Sequence, residues 1–181
     1  WRAQFDLPLI AVTGSNGKTT VTQMIASMLA AWHGHGMLAT AGNLNNHIGI
    51  PLTILKVKPD AEIAVIEMGA NHQKEIEGYC KYTLPTHGLI TNCGKAHLEG
   101  FGGAEGVRKG KGELFDYLRT NNGTAFIMQD YDYLLQMSKG ISSIIKYGTH
   151  DSDTEGAIIQ SEPFLEIEIT KGVVTGKIKT Q

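Results

Sequence analysis

The segment Pro8–Trp32 reads PLIAVTGSNGKTTVTQMIASMLAAW and decides the fold. Its first part, PLIAVTG, is a short, almost continuous apolar run, which is typical of a parallel strand buried on both faces. From Val21 onward the apolar residues recur at helical spacing, and the glycines of HGHG (33–36) predict the end of that helix. Between the two elements lies TGSNGKTT, so the chemistry of this junction is the first question.

A glycine-containing turn between a buried strand and a helix is an arrangement that binds phosphate. Backbone N–H groups around the turn would face an anion, and the positive end of the helix would add to the attraction. Lys18 would reach the outer phosphates, and the Thr19 hydroxyl is placed to coordinate Mg²⁺. The spacing G-x-x-G-K-T is two residues shorter than the general phosphate-loop pattern. A turn that only joins strand to helix is the alternative, and the context favours a nucleoside triphosphate.

The remaining segments alternate between the two periodicities. Strands are predicted at AEIAVIEMG (61–69), THGLITNCG (86–94) and GTAFIMQ (123–129), and helices at KEIEGYCKY (74–82) and EGVRKGKGELFDYLRT (105–120). From about Ile144 onward, short segments of partial alternation predict an antiparallel β meander. We therefore expect an α/β protein whose mostly parallel sheet carries a phosphate loop and helices on both faces, with a small antiparallel meander at its C-terminal end.

Composition limits the function classes. Sixteen Lys and Arg against eighteen Asp and Glu give a net charge of −2, so no nucleic-acid partner is expected. No apolar run approaches the ~18 residues of a membrane span, and no leader segment is recognisable. We expect a monomeric cytoplasmic protein without a membrane partner. Because the chain begins at Trp1 and ends inside a strand-like pattern, we also expect it to be part of a longer polypeptide.

Two further candidates follow buried strands. Glu67 ends the apolar run IAVI, at the carboxyl edge of the sheet where ligands collect, and could hold a metal there. A solvated glutamate at a strand end is the alternative. His97, in NCGKAHLEGFGG (92–103), follows the next predicted strand and so belongs to the same edge. Taken alone, a surface or packing role is the safer interpretation for His97.

Lys111 interrupts an apolar stripe. On the helix predicted at 105–120, Val107, Leu114, Phe115 and Leu118 form the stripe, and Lys111 falls in its middle. A buried lysine is rare and has a lowered pKa, whereas a long lysine can also extend its ammonium group to the surface. Periodicity alone does not choose between these two.

Four motifs together resemble the Mur ligases. They are TGSNGKTT (13–20), GNLNNHIGIPLT (42–53), VIEMGANHQKEI (65–76) and NCGKAHLEGFGG followed by KGKGELF (109–115). The phosphate loop is common to a wider group that includes folylpolyglutamate synthases and cyanophycin synthetases. GNLNN and GANH are more typical of the member that adds D-alanyl-D-alanine to UDP-N-acetylmuramoyl-tripeptide.

The resemblance implies an ATP-dependent amide ligase of peptidoglycan synthesis. ATP would phosphorylate the terminal carboxylate of the UDP-linked tripeptide, and the amine of D-Ala-D-Ala would attack the acyl phosphate. Another Mur ligase or a folylpolyglutamate synthase-like ligase is one alternative, and a non-enzymatic nucleotide-binding module is another. Residues 1–181 would correspond to the central ATP-binding domain, incomplete at its C-terminal end. The UDP-binding N-terminal domain and the C-terminal domain would be absent, so the piece alone would be inactive.

The resemblance also implies roles for single residues. ATP would be bound by the loop residues Gly14, Ser15, Asn16, Gly17, Lys18, Thr19 and Thr20, and the UDP-linked substrate would face Asn43, Asn45 and Asn46. Thr19 and Glu67 would hold one Mg²⁺, and His97 a second. Lys111 matches a family lysine that is carbamylated and lies near the second metal. Lys18, His97 and Lys111 are thus the expected catalytic residues.

Overall fold

A single sheet organises the protein. The computed structural model describes residues 1–94 and 98–179, and within them nine strands lie in the order β2-β3-β1-β4-β5-β6-β7-β8-β9. The strands are β1 Leu9–Thr13, β2 Met37–Ala39, β3 Ile63–Glu67, β4 His87–Ile90, β5 Thr124–Met128, β6 Ser143–Gly148, β7 Thr154–Gln160, β8 Glu166–Lys171 and β9 Gly176–Lys179. The helices are α1 Lys18–His33, α2 Gly49–Ile54, α3 Glu75–Thr83, α4 Leu98–Phe101, α5 Ala104–Thr120 and α6 Asp132–Met137.

Strands β1 to β6 run parallel to one another, as expected for strands linked through helices. Strand β7 pairs in parallel with β6 over two residue pairs, and β8 and β9 then add antiparallel strands. The predicted α/β class with an antiparallel C-terminal end is confirmed. The central strands are parallel because each connection crosses over the sheet before the chain returns.

The predicted start of the meander was wrong. SIIKYGTH (143–150) forms β6, which pairs in parallel with β5 from Thr124–Ser143 to Met128–Tyr147. The reason is α6, which the sequence analysis did not identify. This short helix carries the chain back across the sheet and buries Leu134 against the core, so that β6 enters in the same direction as β5.

Helices cover the sheet on both faces, as predicted. The larger core cluster joins side chains of α2, α3 and α5 to the sheet, including Ile50, Ile76 and Phe115. The smaller cluster joins Val12, Val65 and Leu89 of the opposite face to α1, which contributes partly buried apolar side chains at Val21, Ile25 and Leu29. Because β1 lies between these layers, its carboxyl end is held from both faces.

Candidate functional site

The loop after β1 opens directly onto the first turn of α1. Gly17 adopts a left-handed conformation with φ of 77°, and α1 begins at Lys18. Val21 is the first residue of the helix whose N–H bonds back one turn, at 2.9 Å to the Gly17 carbonyl. The N–H groups of Lys18, Thr19 and Thr20 come before any intrahelical acceptor, so this helix end is a concentration of donors and of positive dipole charge. Such an end binds anions.

The segment after β4 holds the loop in place. The Thr91 hydroxyl donates to the Asn16 carbonyl at 2.6 Å, and the Asn92 side-chain amide donates to the same oxygen at 3.1 Å. In return the Ser15 N–H donates to the Asn92 carbonyl at 2.8 Å. Gly14 fits because it lacks a side chain: a Cβ there would lie 2.0 Å from the Thr91 hydroxyl oxygen. The loop is therefore rigidly supported before any ligand binds.

Thr91 and Asn92 were missed by the sequence analysis. The signal for these two residues was topological, because β4 pairs directly with β1 and the two strands end at the same edge.

Lys18, the predicted phosphate contact, is half-buried, and its Nζ donates to the Ser15 carbonyl at 3.2 Å. Its ammonium group thus lies over the loop, within reach of an anion bound there.

Glu67 is the most deeply buried carboxylate of this edge, with 1% of its surface exposed. Its Oε1 accepts hydrogen bonds from the Thr19 hydroxyl at 3.1 Å and from the Asn45 side-chain amide at 2.7 Å. Its Oε2 is buried and has no hydrogen-bond partner among the described residues. An unpaired buried carboxylate oxygen is costly, and a bound cation would relieve that cost.

The donor set around Glu67 fits Mg²⁺ better than a metal held only by protein side chains. The described part of the chain contains no cluster of three or more His, Cys, Asp or Glu that could hold a metal ion. Mg²⁺ is usually bound by one or two carboxylates together with water and substrate phosphates, which is what Glu67 beside Thr19 and the loop can offer. His97, the candidate for a second metal, lies outside the described residues.

Lys111 is buried, which resolves the two alternatives for this residue. It is 1% exposed on α5, its Nζ donates to the Ala70 carbonyl at 3.0 Å, and the ammonium group lies 5.1 Å from the centre of the Phe101 ring. Burial, with a smaller contribution from the nearby charge of Lys18, lowers the pKa of Lys111 to about 8. At pH 7, one unit below this pKa, roughly a tenth of the amine is therefore neutral, far more than for a solvated lysine.

The three asparagines of residues 43–46 have different surroundings. Asn43 is exposed. Asn46 supports the start of α2, because its Oδ1 accepts from the N–H groups of Ile48 at 3.1 Å and Gly49 at 2.9 Å. Asn45 binds the Glu67 carboxylate, as described above. A substrate role for all three stays a prediction.

A polar cavity of about 370 Å³ adjoins these residues. Its walls come from the loop, from residues 45–47 and from the segment leading into α3, and they include Lys18, Asn46, His47, His72, Glu75 and Tyr79. The last four were not identified as site residues from the sequence. Glu75 accepts from the backbone N–H groups of Asn71 and His72, and these bonds lower the pKa of Glu75 despite its partial burial. The cavity thus places anionic and cationic groups next to the phosphate loop.

No helix in the described ranges 1–94 and 98–179 is long and apolar enough to cross a membrane. Comparison with known proteins agrees with the fold. The family model of the Mur ligase middle domain matches residues 12–179. The UDP-N-acetylmuramoyl-tripeptide–D-alanyl-D-alanine ligase of Escherichia coli K12 is 45% identical over 142 residues, which is 78% of this chain and 31% of that enzyme.

Solved structures give the same result. A crystal structure of MurF from Acinetobacter baumannii has a TM-score of 0.89 at 31% identity, over 98% of this chain and 39% of that one. MurF ligase from Thermotoga maritima, solved in complex with ADP, has a TM-score of 0.86 at 28% identity, over 98% of this chain and 41% of that one. The chain therefore spans about a third of the length of the curated relative, and it belongs to the Mur ligase family through the middle domain of that family.

Proposed function

We propose that this chain is the nucleotide-binding part of an ATP-dependent ligase that joins D-alanyl-D-alanine to UDP-N-acetylmuramoyl-tripeptide. The observation that carries the proposal is one shared edge of the sheet, where a preformed anion loop, a buried carboxylate and a buried lysine meet. The names of the relatives supply the substrates. GNLNN and GANH, together with those names, favour this ligase over other Mur ligases and over folylpolyglutamate synthases.

The loop residues would bind the phosphates of ATP. Backbone N–H groups from Gly14 to Thr20 provide the donors, and Lys18 would neutralise charge on the transferred phosphoryl group as the tripeptide carboxylate becomes an acyl phosphate. Because Thr91 and Asn92 already fix the loop, little reorganisation is needed when the nucleotide arrives. Preorganised donors of this kind stabilise developing charge more effectively than mobile ones.

Mg²⁺ would bind beside the loop. Thr19 and Glu67 would hold it, with the unpaired Oε2 of Glu67 as the anionic ligand. When bound, the ion supplies positive charge that offsets the phosphate charge. His97 is proposed for a second metal on the strength of the family resemblance alone.

Lys111 would act as a carbamate. The neutral amine attacks carbon dioxide, a C–N bond forms, and a proton is released, which replaces a buried cation by a buried anion. Burial and the lowered pKa of Lys111 support this step, because only the neutral amine is nucleophilic. The nearby charge of Lys18 would then attract the carbamate rather than repel the ammonium group.

The cavity next to Asn43, Asn45 and Asn46 would receive the acyl end of the UDP-linked substrate. Its polar walls and the adjacent Lys18 suit a carboxylate. Ligation also requires the UDP sugar and the dipeptide to be held, and these functions belong to parts of the relatives that this chain does not span. We propose a cytoplasmic, monomeric enzyme, and we expect residues 1–181 alone to bind nucleotide weakly without ligating.

Nucleotide binding by this chain is the first test. Calorimetry with ADP and Mg²⁺ should show binding that Lys18→Ala weakens roughly 10- to 100-fold, the range for hydrogen bonds to charged groups. Lys139→Ala is the matched control, because Lys139 is exposed and precedes β6 at the opposite edge of the sheet. Equal binding by wild type and Lys18→Ala would contradict the phosphate-loop assignment.

Ligation is the second test. A full-length enzyme carrying this domain should release phosphate with ATP, UDP-N-acetylmuramoyl-tripeptide and D-Ala-D-Ala, and Lys18→Ala should abolish that release while the fold is retained. The isolated chain should be silent, because positioning the reacting groups supplies up to ~7–11 kcal/mol of the barrier reduction. Turnover of the isolated chain at the rate of a whole enzyme would contradict the proposal.

A further inference from the structure

We propose that Asn45 is a positioning residue for the metal site, which it serves by holding the Glu67 carboxylate in one orientation. The resemblance assigns Asn45 to the substrate, whereas the contacts of its side chain point to the carboxylate. This inference rests on the proposed Mg²⁺–nucleotide site and adds a residue to it.

The first observation is the hydrogen bond itself. Asn45 Nδ2 donates to Glu67 Oε1 at 2.7 Å, which is shorter than the 3.1 Å contact between the Thr19 hydroxyl and the same oxygen. Hydrogen bonds from neutral donors to a carboxylate are among the stronger ones in proteins. The Asn45 amide and the Thr19 hydroxyl thus both donate to Oε1 of Glu67.

The second observation concerns the other carboxylate oxygen of Glu67. With Oε1 bound by two donors, Oε2 of Glu67 is buried and unpaired within residues 1–94 and 98–179. A carboxylate without the Asn45 contact could rotate to share its two oxygens between the Thr19 hydroxyl and solvent. Asn45 thus keeps the unpaired oxygen in place for a cation, as outer hydrogen bonds do for metal ligands in general.

The third observation is the rigidity of Asn45. Its carbonyl accepts from the Gly69 N–H at 2.7 Å, so its backbone is fixed to the segment that follows β3. A Cβ on Gly69 would lie 2.9 Å from Asn45 Oδ1, which means that the absence of a side chain at Gly69 lets the amide approach Glu67. Main chain and side chain of Asn45 are therefore tied to the same short segment that carries the carboxylate.

Asn45 also lines the polar cavity together with Asn46 and His47. One residue therefore touches both the proposed substrate space and the metal carboxylate. A residue that only contacts substrate would leave Mg²⁺ binding unaffected when it is replaced. Mg²⁺ affinity therefore separates the two roles of Asn45. It can be measured on this chain without the UDP-linked substrate.

In the experiment, calorimetry measures the binding of ADP to residues 1–181 at a series of Mg²⁺ concentrations. We expect Asn45→Ala and the similarly sized Asn45→Leu, which both remove the amide donor without adding a charge, to weaken the apparent Mg²⁺ affinity by roughly 10- to 100-fold, the usual effect of losing an outer hydrogen bond to a metal ligand. Gln73→Ala is the matched control, because it removes an exposed side-chain amide from the neighbouring segment. Circular dichroism spectra of all variants establish that the fold is retained.

A double-mutant cycle with Glu67→Gln tests whether Asn45 acts through the carboxylate. In the Glu67→Gln background, Asn45→Ala should change Mg²⁺ affinity less than twofold, whereas independent roles would give the full effect again. Unchanged Mg²⁺ affinity in both Asn45 variants, or full additivity in the cycle, overturns the inference alone. If the ADP affinity of the wild type does not depend on Mg²⁺ concentration, both the proposed metal site and this inference are overturned.

Discussion

The parallel half of the sheet and the C-terminal meander, residues 154–179, differ sharply in burial. Strands β1 and β3 have side chains with no exposed surface, such as Val12 and Ile66, because helices cover both of their faces. In the meander Ile158 is 67% exposed, Ile178 54% and Val173 104%. The candidate site lies entirely against the buried half, where rigid packing can hold reacting groups in place.

The meander is hydrogen-bonded as an antiparallel sheet, with register shifts in β7 between Glu155 and Gly156 and between Ile158 and Gln160. Ile158, Ile167 and Ile178 lie opposite one another in β7, β8 and β9, so they form one apolar row. On the other face Ala157, Glu168 and Lys177 align. Strands are paired in both regions, so the difference in burial comes from the helices that pack on the parallel strands. Four predictions test this comparison, from the largest expected effect to the smallest.

Ile127→Ala and Ile178→Ala compare one residue type in the two regions. Ile127 in β5 is fully buried, so its truncation should lower the free energy of unfolding by about 2–5 kcal/mol. Ile178 in β9 is half-exposed, so its truncation should cost less than about half of that. Urea denaturation measures both values, and similar losses at the two positions would show that the meander contributes to the core as fully as the parallel strands do.

Lys111→Met examines the most deeply buried cation among the described residues, since Lys111 is 1% exposed and Arg2 is 7% exposed. Burial lowers the pKa of Lys111 from 10.5 to about 8, so the cost of burying the ammonium group is fully present below pH 8. As the pH rises from about 8 to 10.5, the folded protein has released the proton that the unfolded chain still binds, and the wild type gains stability relative to the variant. The full pKa shift corresponds to roughly 3 kcal/mol.

The measurement is urea unfolding of both proteins without metal between pH 7 and pH 10.5. The raised pKa of Cys80, about 12, is a property of both proteins and cancels in their difference. We expect the stability of Lys111→Met minus that of the wild type to fall steadily across this interval. A difference that stays constant with pH would mean that Lys111 titrates as a solvated lysine.

Gly14→Ala compares the supported loop with the meander. Gly14 and Gly176 share a φ of 142°, but a Cβ on Gly14 would lie 2.0 Å from the Thr91 hydroxyl oxygen, whereas one on Gly176 meets no described atom within 4 Å. Gly14→Ala should lower stability by about 1–3 kcal/mol and reduce ADP affinity at least tenfold. Gly176→Ala, which carries only the backbone strain, should bind ADP like the wild type. Equal effects would show that the contact with Thr91 is unimportant.

Val173→Ser is expected to have the smallest effect. Val173 lies in the turn between β8 and β9 and is fully exposed, so the free energy of unfolding should change by no more than about 0.5 kcal/mol. Thermal unfolding measures this change. A larger loss would indicate that this turn is covered in solution.

Much of the fold was predictable from local patterns. The helix over Ala104–Thr120 follows from a period of 3.6 residues and the buried strand ending at Glu67 from a short continuous apolar run, and both patterns depend on neighbours in the chain. The helix over Asp132–Met137 was missed because it is short, and its absence from the prediction turned β6 into a meander strand. On α1, helical spacing was correct, yet Met24, Met28 and Trp32 are exposed, because the sheet meets only one side of that apolar surface.

By itself the sequence determined that a phosphate loop joins β1 to α1 and that Lys111 interrupts an apolar stripe, because both are properties of residues close together in the chain. Only the tertiary structure decided that Lys111 is buried under Ala70, that Thr91 and Asn92 support the loop, and that Asn45 and Thr19 share one oxygen of Glu67. These contacts join residues 22 to 76 positions apart. Burial and hydrogen-bond pairing at such separations are set by how strands stack in the sheet, and no local pattern encodes that order.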